Sequence, residues 1–351
     1  MQRASRQGTP IRKAVRRRFG AASLVTREEF MYQKRLRVLG WRVMVSCSVG
    51  LASLLPAASM AHAGLPVTAP ALPGAAVANT TTVHVVVPDS LFGRSGKLRF
   101  RLFSSTHVFA LPILERLFGN APDEARPGVY QAAEDIMGRP FAFISLIPFA
   151  SKAGGTVGDY RVGFWPSERR RNRTEAYENP EGFIEVTPQN QDTFVSEHFR
   201  LRDFLTHDQE NVWPKYLVLR ETLVDKLELV IDDLAGHGVR VEHMVVMSGF
   251  RTPQYNAQGV GRGGRARDSR HQFGDAADVF VDNDGNGRMD DLNHDRRVDS
   301  RDARVILQAV ERVERAHPEL VGGASVYRAT RAHGPFAHVD TRGARARWGR
   351  S

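Results

Sequence analysis

Three short segments in the second half of the 351-residue chain carry residue types that bind metals. The run from Ser269 through His271, Gly274 and Ala276 to Asp278 has the spacing S-x-H-x-x-G-x-A-x-D. A second run is His333-Gly334-Pro335-Phe336-Ala337-His338-Val339-Asp340, and Ser248-Gly249-Phe250-Arg251 lies upstream of both. A catalytic zinc takes three protein ligands of N or O type and keeps one position open for water, and two histidines with one carboxylate meet that requirement. Zinc in such a site lowers the pKa of bound water from 15.7 to about 7, which makes hydroxide available as a nucleophile at neutral pH. Any one of these histidines alone is more often a surface or satisfied core residue. Their joint occurrence reverses that reading.

The elements around these segments must bring them together. His271 and Asp278 flank a Gly-Asp-Ala-Ala stretch small enough for the chain to turn back and place both on one ion. His338, Asp340 and Arg342 alternate along an expected strand, so all three face one side. His333 lies five residues before His338 across Gly334-Pro335, where a turn brings it to the rim of the site. Leu223, Leu227, Val230, Ile231 and Leu234 fall at helical spacing, ended by Gly236 and Gly238. Strand is expected at Val239-Arg240-Val241 and at Met244 to Met247, and a second amphipathic helix at Ala303 to Ala316. Strand and helix segregate, so the expected class is α+β.

Residues 82–190 read as a small β-rich accessory domain, with strand signals at 83–87, at Leu98, Phe100 and Leu102, at Phe141 to Phe149 and at Tyr160 to Phe164. One helix is expected there, near 110–118, and the basic run from Glu168 to Arg173 reads as a solvated loop. Residues 194–351 form the expected metal-binding domain, and the length agrees with about two domains. The formal charge of +10 is confined to residues 1–63, which hold twelve Lys or Arg and two acids, so the rest is formally neutral. That distribution argues against a nucleic-acid partner. The same leader has a basic stretch ending at Arg42, an apolar stretch from Val43 to about Met60, and Ala61-His62-Ala63 before Gly64. This is the layout of a secretory signal peptide with export to the periplasm or cell wall, the alternative being an uncleaved anchor. Translation from Met31 would leave a leader of ordinary length. Residues 64–81 read as a flexible tether. After cleavage the chain would lack its single Cys, which suits an oxidising compartment, and would keep no stable membrane span.

On these motifs the sequence resembles the zinc D-Ala-D-Ala metallopeptidases of bacterial cell walls, which include D,D-carboxypeptidases, dipeptidases and murein endopeptidases and share a fold with the hedgehog signalling domain. The resemblance covers roughly Phe194 to Trp348, and the closing His338-Val339-Asp340-Thr341-Arg342-Gly343 with Trp348 is part of it. It implies a hedgehog-type zinc domain in which His271, Asp278 and His338 ligate zinc and Arg251 grips a peptide carboxylate or polarises the scissile carbonyl. It further implies peptidoglycan stem peptides or cross-links as substrate, without deciding between carboxypeptidase and endopeptidase. Other members place a Glu or Asp two or three residues before the last ligand, where this chain has Phe336 and Pro335. The general base then falls to His333, with Asp340 as the alternative or as a carboxylate that orients His338. The rival expectation is a non-catalytic, zinc-braced wall-binding module.

An insert at 282–302 suggests a second metal. Asp282, Asp284, Asn286 and Asp290 stand at positions 1, 3, 5 and 9 of an EF-hand-like loop. In a second frame Asp291, Asn293, Asp295, Asp299 and Asp302 stand at positions 1, 3, 5, 9 and 12, similar to a dockerin-type calcium loop with Arg296 in place of the usual Gly. The expectation is a structural Ca2+ site, against a solvated loop that binds nothing.

Overall fold

The computed structural model describes residues 89–104, 127–132, 140–169, 177–261 and 264–349. The expected leader, the tether, the strand at 83–87, the helix at 110–118 and residues 170–173 of the basic run lie outside the described residues. No helix among the described residues is long and apolar enough to cross a membrane.

The fold is α+β. Strands β1 (Phe100–Ser104), β2 (Gly128–Ala132), β3 (Phe141–Pro148), β6 (Gly182–Val186) and β7 (Lys215–Leu217) form one sheet, and β4 (Thr156–Val157) and β5 (Tyr160–Arg161) form a separate hairpin. β3 lies between parallel β1 and antiparallel β2, and its end pairs with β6. The second sheet contains β8 (Met244–Ser248), β9 (Ala276–Val281), β10 (Gly323–Tyr327), β11 (Phe336–Asp340) and β12 (Ala346–Trp348) in the order β12-β10-β11-β9-β8.

Helix α1 (Glu221–Gly236) buries Leu223, Leu227, Val230, Ile231 and Leu234, the residues whose spacing predicts it. Each such side chain contributes about 1.5–3 kcal/mol by leaving water. The chain leaves α1 through Gly238 at φ 81°, a conformation that favours glycine. The following Val239 to Val241 is not a strand; pairing begins only at Met244, after Asn283 Oδ1 has accepted the amides of Glu242 and His243. A short helix, α2 (Pro253–Gln258), starts with Thr252 Oγ1 accepting the Tyr255 amide. Helix α3 (Ser300–Ala316) packs Ile306, Ala309, Val310 and Val313 into the core over β10 and β11, and α1 packs against α3.

Apolar packing continues across residues 190–194. Ile184 of β6 pairs with Leu217 of β7 across them, and one apolar cluster runs from Leu98 through Trp165, Phe183 and Leu217 to Val339. The first sheet therefore completes the core of the second segment. Alternation along each strand marks an apolar face, but it does not say which partner covers that face.

Candidate metal centre

Sheet register brings two of the expected ligands face to face. His338 on β11 is the cross-strand partner of Asp278 on β9, and Ser248 on β8 meets Asp278 from the other side. His271 arrives from a 3-10 turn, Arg270–Phe273, that immediately precedes β9. Gly274 ends that turn at φ 67°, where an added Cβ would sit 2.4 Å from the Val218 carbonyl oxygen, so the defined glycine of the motif is a steric requirement. Arg270 and Asp275 form a buried ion pair across the turn, and the Trp165 indole donates to the Gln272 carbonyl at 2.7 Å.

The result is a nearly equilateral triangle. His271 Nε2 is 3.2 Å from His338 Nδ1 and 3.3 Å from Asp278 Oδ1, and His338 Nδ1 is 2.9 Å from Asp278 Oδ1. A tetrahedral ion with bonds of about 2.0–2.1 Å holds its ligand atoms roughly 3.3–3.4 Å apart, so these three atoms fit one small metal with a fourth position outside the triangle. The remaining ring nitrogens are already used. His271 Nδ1–H donates to the Gly249 carbonyl at 2.7 Å, and His338 Nε2–H donates to Asp340 Oδ2 at 3.2 Å. Such outer hydrogen bonds fix the tautomer of a metal-binding histidine and orient its ring. His271, Asp278 and His338 are 2%, 4% and 6% exposed.

The electrostatics of His271 and Asp278 suit metal ligands. Burial, helped by the Arg251 charge, pushes the His271 pKa down to about 4, so its imidazole is neutral at pH 7. Burial alone would raise the Asp278 pKa, but His271 and Arg251 outweigh it and hold the carboxyl well below its usual range. For His338, burial is outweighed by Asp278 and Asp340, and its pKa rises.

Arg251 donates through Nε to Ser248 Oγ at 2.7 Å and through a terminal nitrogen to Asp278 Oδ2, which places a guanidinium beside the cluster. Asp340 is engaged on every side: by His338, by the Arg342 guanidinium and by the Gly323 amide at 2.6 Å. Burial opposes its ionisation, but His338 and Arg342 drive its pKa far below the ordinary carboxylate range. His338, Asp340 and Arg342 thus share one side, as their alternation predicts. His333 is not brought against the cluster. Its ring lies edge-on to Phe336 at 5.0 Å and its Nδ1 is 2.8 Å from the Gly334 carbonyl oxygen.

The insert divides. Asp282, Asp284 and Asp290 offer oxygens within 4.8 Å of one another. Both frames repeat one hydrogen-bond pattern: the fifth residue's amide bonds the first and third side chains, as Asn286 does with Asp282 and Asp284 and Asp295 does with Asp291 and Asn293. The acids of the second frame are not among the groups of three or more His, Cys, Asp or Glu whose ligand atoms lie within 4.8 Å of one another among the described residues. Asp302 turns inward to accept the amides of Leu292, Asn293 and Asp299, while Arg301 pairs with Asp295 and Asp299. The carboxylates there brace the start of α3.

Two further residues support the centre without being among its expected ligands. Gly249 supplies the carbonyl for His271, and a Cβ on it would lie 2.6 Å from Phe204 Cα. Lys226, fully buried on α1, bonds Glu314 at 2.7 Å and the Asp340 carbonyl at 2.8 Å. A polar residue among the apolar positions of α1 is the only sequence signal for it.

The fold and the centre together define an α+β protein with a buried His-Asp-His cluster able to hold a metal. No protein-family model, curated protein sequence or solved structure matches this chain.

Proposed function

We propose that this chain is an exported zinc peptidase that hydrolyses amide bonds of peptidoglycan stem peptides or cross-links on a hedgehog-type fold. The observation that carries the reading is the triangle of His271 Nε2, Asp278 Oδ1 and His338 Nδ1, with both remaining ring N–H groups already donated. When bound there, zinc supplies Lewis acidity and a water whose pKa falls to about 7. The chain's own groups do the rest. Arg251 offers a planar, permanently charged fork of donors beside Asp278, suited to a substrate carboxylate or a developing oxyanion. Asp340, saturated by its three partners, orients His338 and does not accept protons at neutral pH. Proton transfer to the leaving amine is assigned to His333, which packs on Phe336 three residues before β11, outside the cluster, and would act from the rim once substrate is bound.

The occupation of the usual acidic positions by Pro335 and Phe336 favours a second reading, a zinc-braced module that binds cell wall without turnover. Incubating the zinc-loaded full chain with muropeptides and reading the products by mass spectrometry separates the two. The peptidase reading predicts new masses, which also tell loss of a terminal residue from cleavage of a cross-link. Absence of product under every metal condition contradicts it, and product that survives His271→Ala contradicts the assigned centre.

A further inference from the structure

We infer that the groove between the 154–169 segment and α2 binds the carboxylate-bearing part of an acidic peptide whose scissile bond lies at the His-Asp-His centre. The inference rests on the peptidase reading for the position of that bond. Two adjoining depressions, about 90 and 300 Å3, share Phe164, Arg169, Pro253 and Ala257 as walls. Their construction ties them to the centre at two points. Pro253 follows Arg251 by two residues, and Gln272, which lines the first depression, is the neighbour of His271. The opposite wall is fastened to the same elements, since the Gln254 amide donates to the Val162 carbonyl at 3.1 Å and Trp165 holds Gln272.

The groove's walls gather positive charge. Arg161, Arg169 and Arg267, exposed along the groove, form no ion pair among the described residues, and Asp268 is the single acid in its lining. Phe164, 47% exposed, stands between them with Lys152 Nζ 4.5 Å from its ring centre. Guanidiniums call for carboxylates, which a peptide rich in acidic residues supplies.

The test is fluorescence anisotropy of the metal-free full chain with two labelled hexapeptides, one alternating glutamate and alanine, the other alternating glutamine and alanine. The acidic peptide is expected to bind about tenfold or more tightly than the neutral one, and the triple variant Arg161→Gln, Arg169→Gln, Arg267→Gln to lose that preference. All three side chains are exposed, so the variant keeps its fold. Equal binding of the two peptides, or a preference that survives the triple variant, overturns the inference. Because the titration needs neither metal nor turnover, its outcome is independent of muropeptide cleavage. In the cleavage assay the triple variant raises KM by about tenfold and leaves kcat unchanged, the mark of lost uniform binding. Cleavage with an unaltered KM overturns the groove and leaves the peptidase reading intact.

Discussion

Asp340 Oδ2 lies 3.2 Å from His338 Nε2, two residues apart on one strand, and this contact leaves Nδ1 as the nitrogen that faces Asp278 and His271. The Asp340→Asn variant keeps the volume but weakens the acceptor. Zinc affinity is expected to fall by about 10–100-fold, measured by competition with a chromophoric chelator. Unchanged affinity would show that the tautomer of His338 is set elsewhere.

Gly249→Ala tests the other histidine without touching a ligand. The new Cβ would meet Phe204 Cα at 2.6 Å and push away the carbonyl that accepts the His271 Nδ1–H. The expected result is a folded protein with zinc affinity lowered by about tenfold or more and thermal stability lowered by about 1–3 kcal/mol. Chelator competition and calorimetry check the two parts separately.

Lys226→Met removes a buried charge whose partners are Glu314 and the Asp340 carbonyl. Glu314 keeps Arg347 and the Gly322 amide but loses its most buried partner. A loss of about 3 kcal/mol in urea unfolding is expected, with partial recovery in the double variant Lys226→Met, Glu314→Gln.

Stability should also depend on His198. Its Nδ1 is 2.7 Å from Glu228, whose hydrogen bond raises the imidazole pKa above 6.5 against partial burial and the Lys97 charge, with Glu197 adding to the rise. A group raised on folding stabilises fully below its unfolded pKa and ceases to do so as pH rises through the folded value. The stability deficit of His198→Gln is therefore larger at pH 6 than at pH 9, as read by melting temperature. An equal deficit at both pH values would mean that the charged pair contributes nothing.

The ligand spacing was legible because it reports local geometry: Gly274 can be read as a turn, and His338 and Asp340 as one face of a strand. The supports were not legible because they come from residues far away in the chain. Trp165 reaches Gln272 over 107 positions, and Lys226 reaches Asp340 over 114. The same limit hid the reach of the first sheet into the second segment, since Ile184 pairs with Leu217. In the insert, the oxygen spacing was visible but not the competition of Arg301 and backbone amides for those oxygens.

The central claim is that His271, Asp278 and His338 hold one metal ion. Native mass spectrometry of the full chain, purified with zinc and then freed of excess, tests it most directly. The account predicts one zinc per chain in the wild type and none in Asp278→Ala. A wild type without zinc, or an Asp278→Ala variant that retains it, would contradict the account.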